Sequence, residues 1–262
     1  MRNLKLTIAY DGTNYVGWQV QPNGVSVQQK VEQAIEKLTL SSTRVIVAGR
    51  TDSGVHALGQ VSNFRTESTI PPEKIQRGLQ RFLPDDIVIR NVEEVSPEFH
   101  ATYGAKQKHY RYLILNSRTP NPFLRNYAYR QQAELDIDLM QQGAEYLLGE
   151  HDFRCFETQF PNKATSVRTM HSVKVGRHQG WELWNNRFPE EFITFDIVGS
   201  GFLYNMVRAI MGTLIKIGMQ KWPPERMREI IESQDRSIAG ETAPAEGLYL
   251  MEVDYGTENL PQ

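Results

Sequence analysis

Leu4, Leu6, Ile8 and Tyr10 alternate with Lys5, Thr7 and Ala9, the two-residue period of a half-buried strand. The period then lengthens: Ser26 and Gln29 stand at capping-box spacing, and Val27, Val31, Ile35 and Leu38 follow as one helical stripe. Residues 44–49 and 59–66 read as further strands. Pro71 and Pro72 suit a helix start, with Ile75, Leu79 and Phe82 as its buried face, and residues 86–92 close the series as a strand. The order is βαββαβ, the split arrangement of ferredoxin-like domains.

A second series begins with a strand over 106–115, followed by a proline-punctuated loop over 116–126. A helix over 138–148 is expected to end at Gly149, a natural residue just past a helix. Strands are expected over 167–175 and 191–198. Gly199, Ser200 and Gly201 then introduce a helix over 202–217, Pro223 starts another that runs to Ser233, and 248–255 is a last strand. The pattern predicts an α+β protein of two ferredoxin-like lobes with predominantly antiparallel sheets, 1–104 and 105–262, and a cleft between them.

Length agrees with two lobes, since 262 residues exceed the roughly 100–200 of one domain. With 40% hydrophobic residues the chain can build a real core, which sets aside global disorder. One cysteine, Cys155, permits neither an intramolecular disulfide nor a cysteine-rich zinc site and reads as a small packing residue. The start runs straight into a strand pattern without a signal peptide's apolar stretch, and no segment offers 18 apolar residues free of charge. The expected location is the cytoplasm, with no membrane partner.

A net charge of −2 argues at first against a polyanionic partner, but the average conceals runs. Residues 99–133 contain no Asp or Glu, yet hold Lys106, Lys108, Arg111, Arg118, Arg125 and Arg130 among seven aromatic rings. Residues 158–181 carry Lys163, Arg168, Lys174 and Arg177, and residues 197–224 carry Arg208, Lys216 and Lys221, again without an acid. Basic runs interleaved with aromatics suit phosphates and unstacked bases.

Among candidate chemical groups, Asp52 stands out. It lies in Arg50-Thr51-Asp52-Ser53-Gly54-Val55-His56-Ala57, directly after an expected strand, with Arg50 and His56 on either side. Asp-Ser-Gly alone is turn chemistry. A carboxylate displayed at a strand end between cations also suits a nucleophile or base. Arg208 lies on a helix that is apolar on most sides, so its charge needs a partner; Asp52, Glu246 and Asp196 are the candidates. Tyr110 and Tyr112 share one face of their strand, where tyrosines pack, stack or donate. None of the six histidines lies in an HExxH pattern, and no dinucleotide, P-loop or GxSxG motif occurs.

The stretch from Gly49 to Ala57 resembles the signature of the TruA-type tRNA pseudouridine synthases. Four further blocks are similar to that family in the same order: Tyr10 to Gln19, Lys108 to Tyr112, Phe202 to Arg208, and Ala243 to Leu250. The resemblance implies the pseudouridine synthase fold and a cofactor-free, metal-free isomerase, typically a homodimer. The implied substrate is tRNA, at uridines 38–40 of the anticodon stem-loop. It also implies roles: Asp52 as catalytic nucleophile or base, Tyr110 stacked on the flipped base, Arg208 paired with Asp52, and Arg50 holding the base out. Leu203 and Leu248 would form an apolar wall against water. Lys106, Lys108, Arg118, Lys163 and Arg168 are expected to line the RNA path.

Two other readings stand beside it. An RNA-binding or chaperone module would use the basic and aromatic runs alone, but carries no RNP1-type motif and gives Asp52 and Arg208 no task. A metal-dependent nuclease would require Asp11, Asp52 and Asp196 to cluster.

Overall fold

The computed structural model describes residues 1–158, 165–179 and 191–256. The chain forms two compact units, Met1–Lys108 with Tyr249–Gln262, and His109–Leu248.

The first unit contains β1 (Arg2–Tyr10), α1 (Val27–Thr39), β2 (Ile46–Val47), β3 (His56–Thr66), α2 (Pro72–Gln80) and β4 (Ile87–Val95), the βαββαβ order expected from the pattern. β1 is central, antiparallel to β3 on one side and to β4 on the other. Its alternation does what the sequence predicts: Leu4, Leu6 and Ile8 are fully buried, with Val31, Ile35, Ile75 and Leu79 of the two helices also in the core. Each such side chain contributes roughly 1.5–3 kcal/mol by leaving water. The Ser26 hydroxyl accepts the Gln29 N–H at 3.2 Å and caps α1. Phe82 corrects the expected face of α2. The helix ends at Gln80, so Phe82 falls out of its stripe and is exposed.

The second unit contains β5 (Gln107–Asn116, whose first two residues belong to the first unit), β6 (Tyr129–Gln131), α3 (Ile137–Glu145), β7 (Gly149–Asp152), β8 (Val167–Gln179), β9 (Glu191–Gly199), α4 (Met206–Gly218) and α5 (Arg226–Ser233). The strands lie in the order β5-β9-β8-β7, with β6 parallel to β5 at its outer end. α4 supplies much of the core, its apolar residues from Met206 to Ile217 almost all buried. Three expected boundaries move. α4 begins at Met206 rather than at 202, because Asn205 turns into the left-handed region with φ 59°. α3 stops at Glu145, and Gly149, with φ 92°, opens β7 instead of closing the helix. The strand expected over 44–49 is paired only over β2.

The last strand, β10 (Leu248–Asp254), returns to the first unit from Tyr249 on, whereas the sequence reading divides the chain once, at 104/105. β10 lies parallel to β3, with Tyr249 opposite His56 and Leu250 opposite Ala57. β2 pairs the same strand further along, at Ser62 and Asn63. The long β3 therefore shares one edge between two partners, and the paired end nearest the Asp52 turn is covered by β10. The fold is α+β and predominantly antiparallel. Among the described residues, no helix is long and apolar enough to cross a membrane.

Candidate active site

Between β2 and β3 the chain must turn, and it does so through Arg50–Val55. Gly54 adopts φ 77°, and the Val55 N–H closes the turn on the Asp52 carbonyl at 3.1 Å. The block after β1 wraps this turn. Trp18 N–H donates to the Thr51 carbonyl at 3.0 Å, the Ser53 hydroxyl donates to the Tyr15 carbonyl at 3.1 Å, and the hydroxyls of Tyr10 and Thr51 meet at 2.7 Å. Gly17, at φ 106°, approaches so closely that a Cβ would lie 2.7 Å from the Thr51 carbonyl oxygen. Two of the resembling blocks, distant in sequence, thus form one clamped structure. From the strand side, Gln60 Nε2 donates to the Gly49 carbonyl at 2.8 Å and Lys108 Nζ to the Ala48 carbonyl at 2.7 Å.

Asp52 is half-buried at the head of this turn and Arg50 is exposed. Burial, opposed by hydrogen bonds to Thr51 and Gln60 and reinforced by the Asp52 charge, pushes the Tyr10 phenol up to about 12. Tyr10 therefore stays neutral within reach of the Asp52 charge and keeps its proton. His56, only 2% exposed, accepts the Gly12 N–H on Nδ1 at 3.1 Å, with Asp11 Oδ1 3.2 Å from the same nitrogen. Its ring stacks on Tyr249 of β10, with centroids 4.8 Å apart. The turn and the last strand are thereby joined through a ring pair that the sequence blocks contained but did not connect.

In the second unit, Tyr110, Tyr112 and Ile114 face the buried side of β5. Tyr110 stands edge-on to Phe202, centroids 4.9 Å apart. Tyr112 donates to the Pro244 carbonyl at 2.7 Å; burial, and secondarily the charge of Glu246, raises its phenol well above the ordinary value, with Arg208 opposing. Arg208 is half-buried on α4. Its Nε donates to the Ala243 carbonyl at 2.7 Å and its Nη1 to Asn205 Oδ1 at 2.9 Å, while the Ala243 N–H returns a bond to the Arg208 carbonyl at 3.0 Å. Of the acids considered for it, Asp196 is committed to His109 at 2.6 Å and to Arg111 at 2.9 Å. Leu203 and Leu248 are each 5% exposed in this unit.

The basic positions diverge in character. Lys106 and Arg118 are exposed, while Lys108 bonds the Ala48 carbonyl. Arg168 is half-buried; burial lowers its guanidinium, opposed by Glu157, and its stem runs 3.5 Å from where a Cβ on Gly201 would sit. Lys163 lies outside the described residues. Cys155 is buried, and burial pushes its thiol up to about 12, the setting of a packing residue. No group of three His, Cys, Asp or Glu side chains among the described residues is arranged to hold a metal ion, so the cluster that the nuclease reading required is not present among them.

The architecture is thus an α+β scaffold that presents a clamped carboxylate turn on one unit and a tyrosine strand with an arginine helix on the other. A family model described as tRNA pseudouridine synthase matches residues 6–104 and 144–256. The tRNA pseudouridine synthase A of Acetivibrio thermocellus is 50% identical over 255 residues, covering 97% of this chain and all of that protein. That of Thermoanaerobacter sp. is 43% identical, and tRNA pseudouridine synthase A 2 of Clostridium perfringens 46% identical, each over 97% of this chain and the whole of the relative. The chain belongs to the tRNA pseudouridine synthase family.

Proposed function

We propose that the protein isomerises uridine to pseudouridine in tRNA, at uridines on the 3′ side of the anticodon stem-loop, with Asp52 as the catalytic carboxylate. Family membership over both units carries the substrate and the reaction. The clamped turn that displays Asp52 supports its role.

The chemistry sets what the residues must do. The C1′–N1 bond breaks, the uracil turns, C1′ joins C5, the proton on C5 departs and N1 takes up a proton, with no net change of composition or redox state. A uridine in or beside a stem must first leave its stack, at a cost of about a few kcal/mol. Arg50, exposed beside the turn, holds the displaced base out, and Tyr110 stacks on it. An ionised Asp52 serves either of two routes: attack on C1′, or removal of a ribose proton to give a glycal-like intermediate. Arg208 pairs with Asp52 and keeps it ionised. Leu203 and Leu248 exclude water that would intercept the detached base. The reaction uses no cofactor, the active form is a homodimer in the cytoplasm, and Lys106, Lys108, Arg118, Lys163 and Arg168 follow the RNA backbone.

The test uses tRNA tritiated at uracil C5. Wild-type protein is expected to release tritium as pseudouridine forms; Asp52→Ala is expected to bind tRNA and release none. Release by that variant at the wild-type rate overturns the assignment of Asp52, and absence of release by the wild-type protein overturns the reaction.

A further inference from the structure

Asn205 has an unusual backbone and an unusual side chain. Four non-glycine residues among those described have positive φ: Leu40, Gln220, Gln234 and Asn205. The first three lie just past the ends of α1, α4 and α5, where a left-handed residue closes a helix. Asn205 instead stands at the beginning of α4, where no such conformation is required. An asparagine there would ordinarily accept a backbone N–H of its own first turn, and this one makes no such bond. Its side chain is spent elsewhere.

The amide has two ends and both are engaged. Nδ2 donates to the Thr158 hydroxyl at 2.7 Å, and Oδ1 accepts from Arg208 Nη1 at 2.9 Å. Reversing the amide would put an N–H against the guanidinium N–H, so Arg208, which only donates, fixes which end it meets, and the Thr158 hydroxyl holds the other end in place. Arg208 Nε is held independently by the Ala243 carbonyl at 2.7 Å. Two bonds at different nitrogens of a planar group fix both its position and its plane. The segment that brings Ala243 is itself pinned on α4: Gly240 N–H donates to Thr213 Oγ1 at 2.9 Å, and a Cβ on Gly212 would collide with the Glu241 carbonyl oxygen.

We propose that Asn205 is a positioning residue for Arg208: its left-handed backbone and Thr158-anchored amide exist to aim the guanidinium for the isomerisation. The proposal rests on the reading that Arg208 acts in that reaction. A group misplaced by a fraction of an ångström at the reacting centre loses rate rather than substrate affinity.

Asn205→Gly isolates the effect, because glycine adopts positive φ without strain and α4 keeps its start. Its thermal midpoint is expected to stay near that of the wild type, and its tRNA dissociation constant within about twofold. The single-turnover rate is expected to fall by about 10- to 100-fold. The deciding measurement is the double variant with Arg208→Ala. If Asn205 acts through Arg208, Asn205→Gly costs nothing further once Arg208 is gone. A wild-type rate for Asn205→Gly, or a loss of undiminished size in the Arg208→Ala background, overturns the proposal. A wild-type rate for Arg208→Ala alone would overturn the underlying reading of Arg208 and the proposal with it, and would be recognised because Asn205 is intact in that variant.

Discussion

At Gly247 the chain has no side chain because the Tyr112 ring occupies the space: a Cβ there would lie 2.7 Å from two ring carbons and 2.8 Å from the Leu113 carbonyl oxygen. Tyr112 cannot yield easily, being fully buried with its hydroxyl bound to the Pro244 carbonyl. Gly247→Ala is therefore expected to destabilise the protein by about 1–3 kcal/mol, read as a lower denaturant midpoint, through overpacking. Single residues were the most legible scale in the sequence where their chemistry was unusual. Asp52 stands out because a charged turn follows an expected strand, and Arg208 because a cation interrupts an apolar helix. The partners were less legible. Charge alone asks for a carboxylate beside Arg208; the acceptors it meets within its own unit, a carbonyl and an amide oxygen, are kinds that every sequence contains in abundance and that spacing does not mark.

The elements with clear periods match the pattern, and each departure from it has its own local cause. β6 and β7 are 3 and 4 residues long, too short for a period of two to show. α4 starts late because one backbone torsion at Asn205 overrides an apolar run that continues the helical pattern. Pairing between strands is likewise invisible to period. Asp196 on β9 receives both His109 and Arg111 from β5 and stands opposite Lys174 of β8. Burial would raise its carboxyl, but the bonds from His109 and Arg111 outweigh burial and hold it below the ordinary 3.8. A carboxyl depressed on folding stabilises the protein above its unfolded value and loses that contribution as pH falls through its folded value. Stability should thus decline as the pH drops below about 4. Asp196→Asn should flatten that part of the decline while lowering stability at neutral pH. Urea midpoints measured across the acid range decide it; an unchanged acid slope would show that Asp196 does not carry it.

For the molecule as a whole, the formal charge of −2 was the least informative number in the sequence. Order along the chain carried more: acid-free runs suggested RNA, and five ordered blocks identified the family that the comparisons establish. If the exposed Lys106 meets a phosphate, Lys106→Glu should weaken tRNA binding and make its dependence on salt shallower by about one counterion. Binding isotherms at several salt concentrations measure both, and an unchanged slope would remove Lys106 from the RNA path. The return of β10 beside β3 has a different consequence, one of time. A ribosome releases Tyr249 193 positions after His56, so the ring pair next to the Asp52 turn cannot form until the whole second unit has been made. Until then β3 lacks its neighbour at His56 and Ala57, and a nascent or truncated chain ending before residue 248 has no means of finishing its first unit.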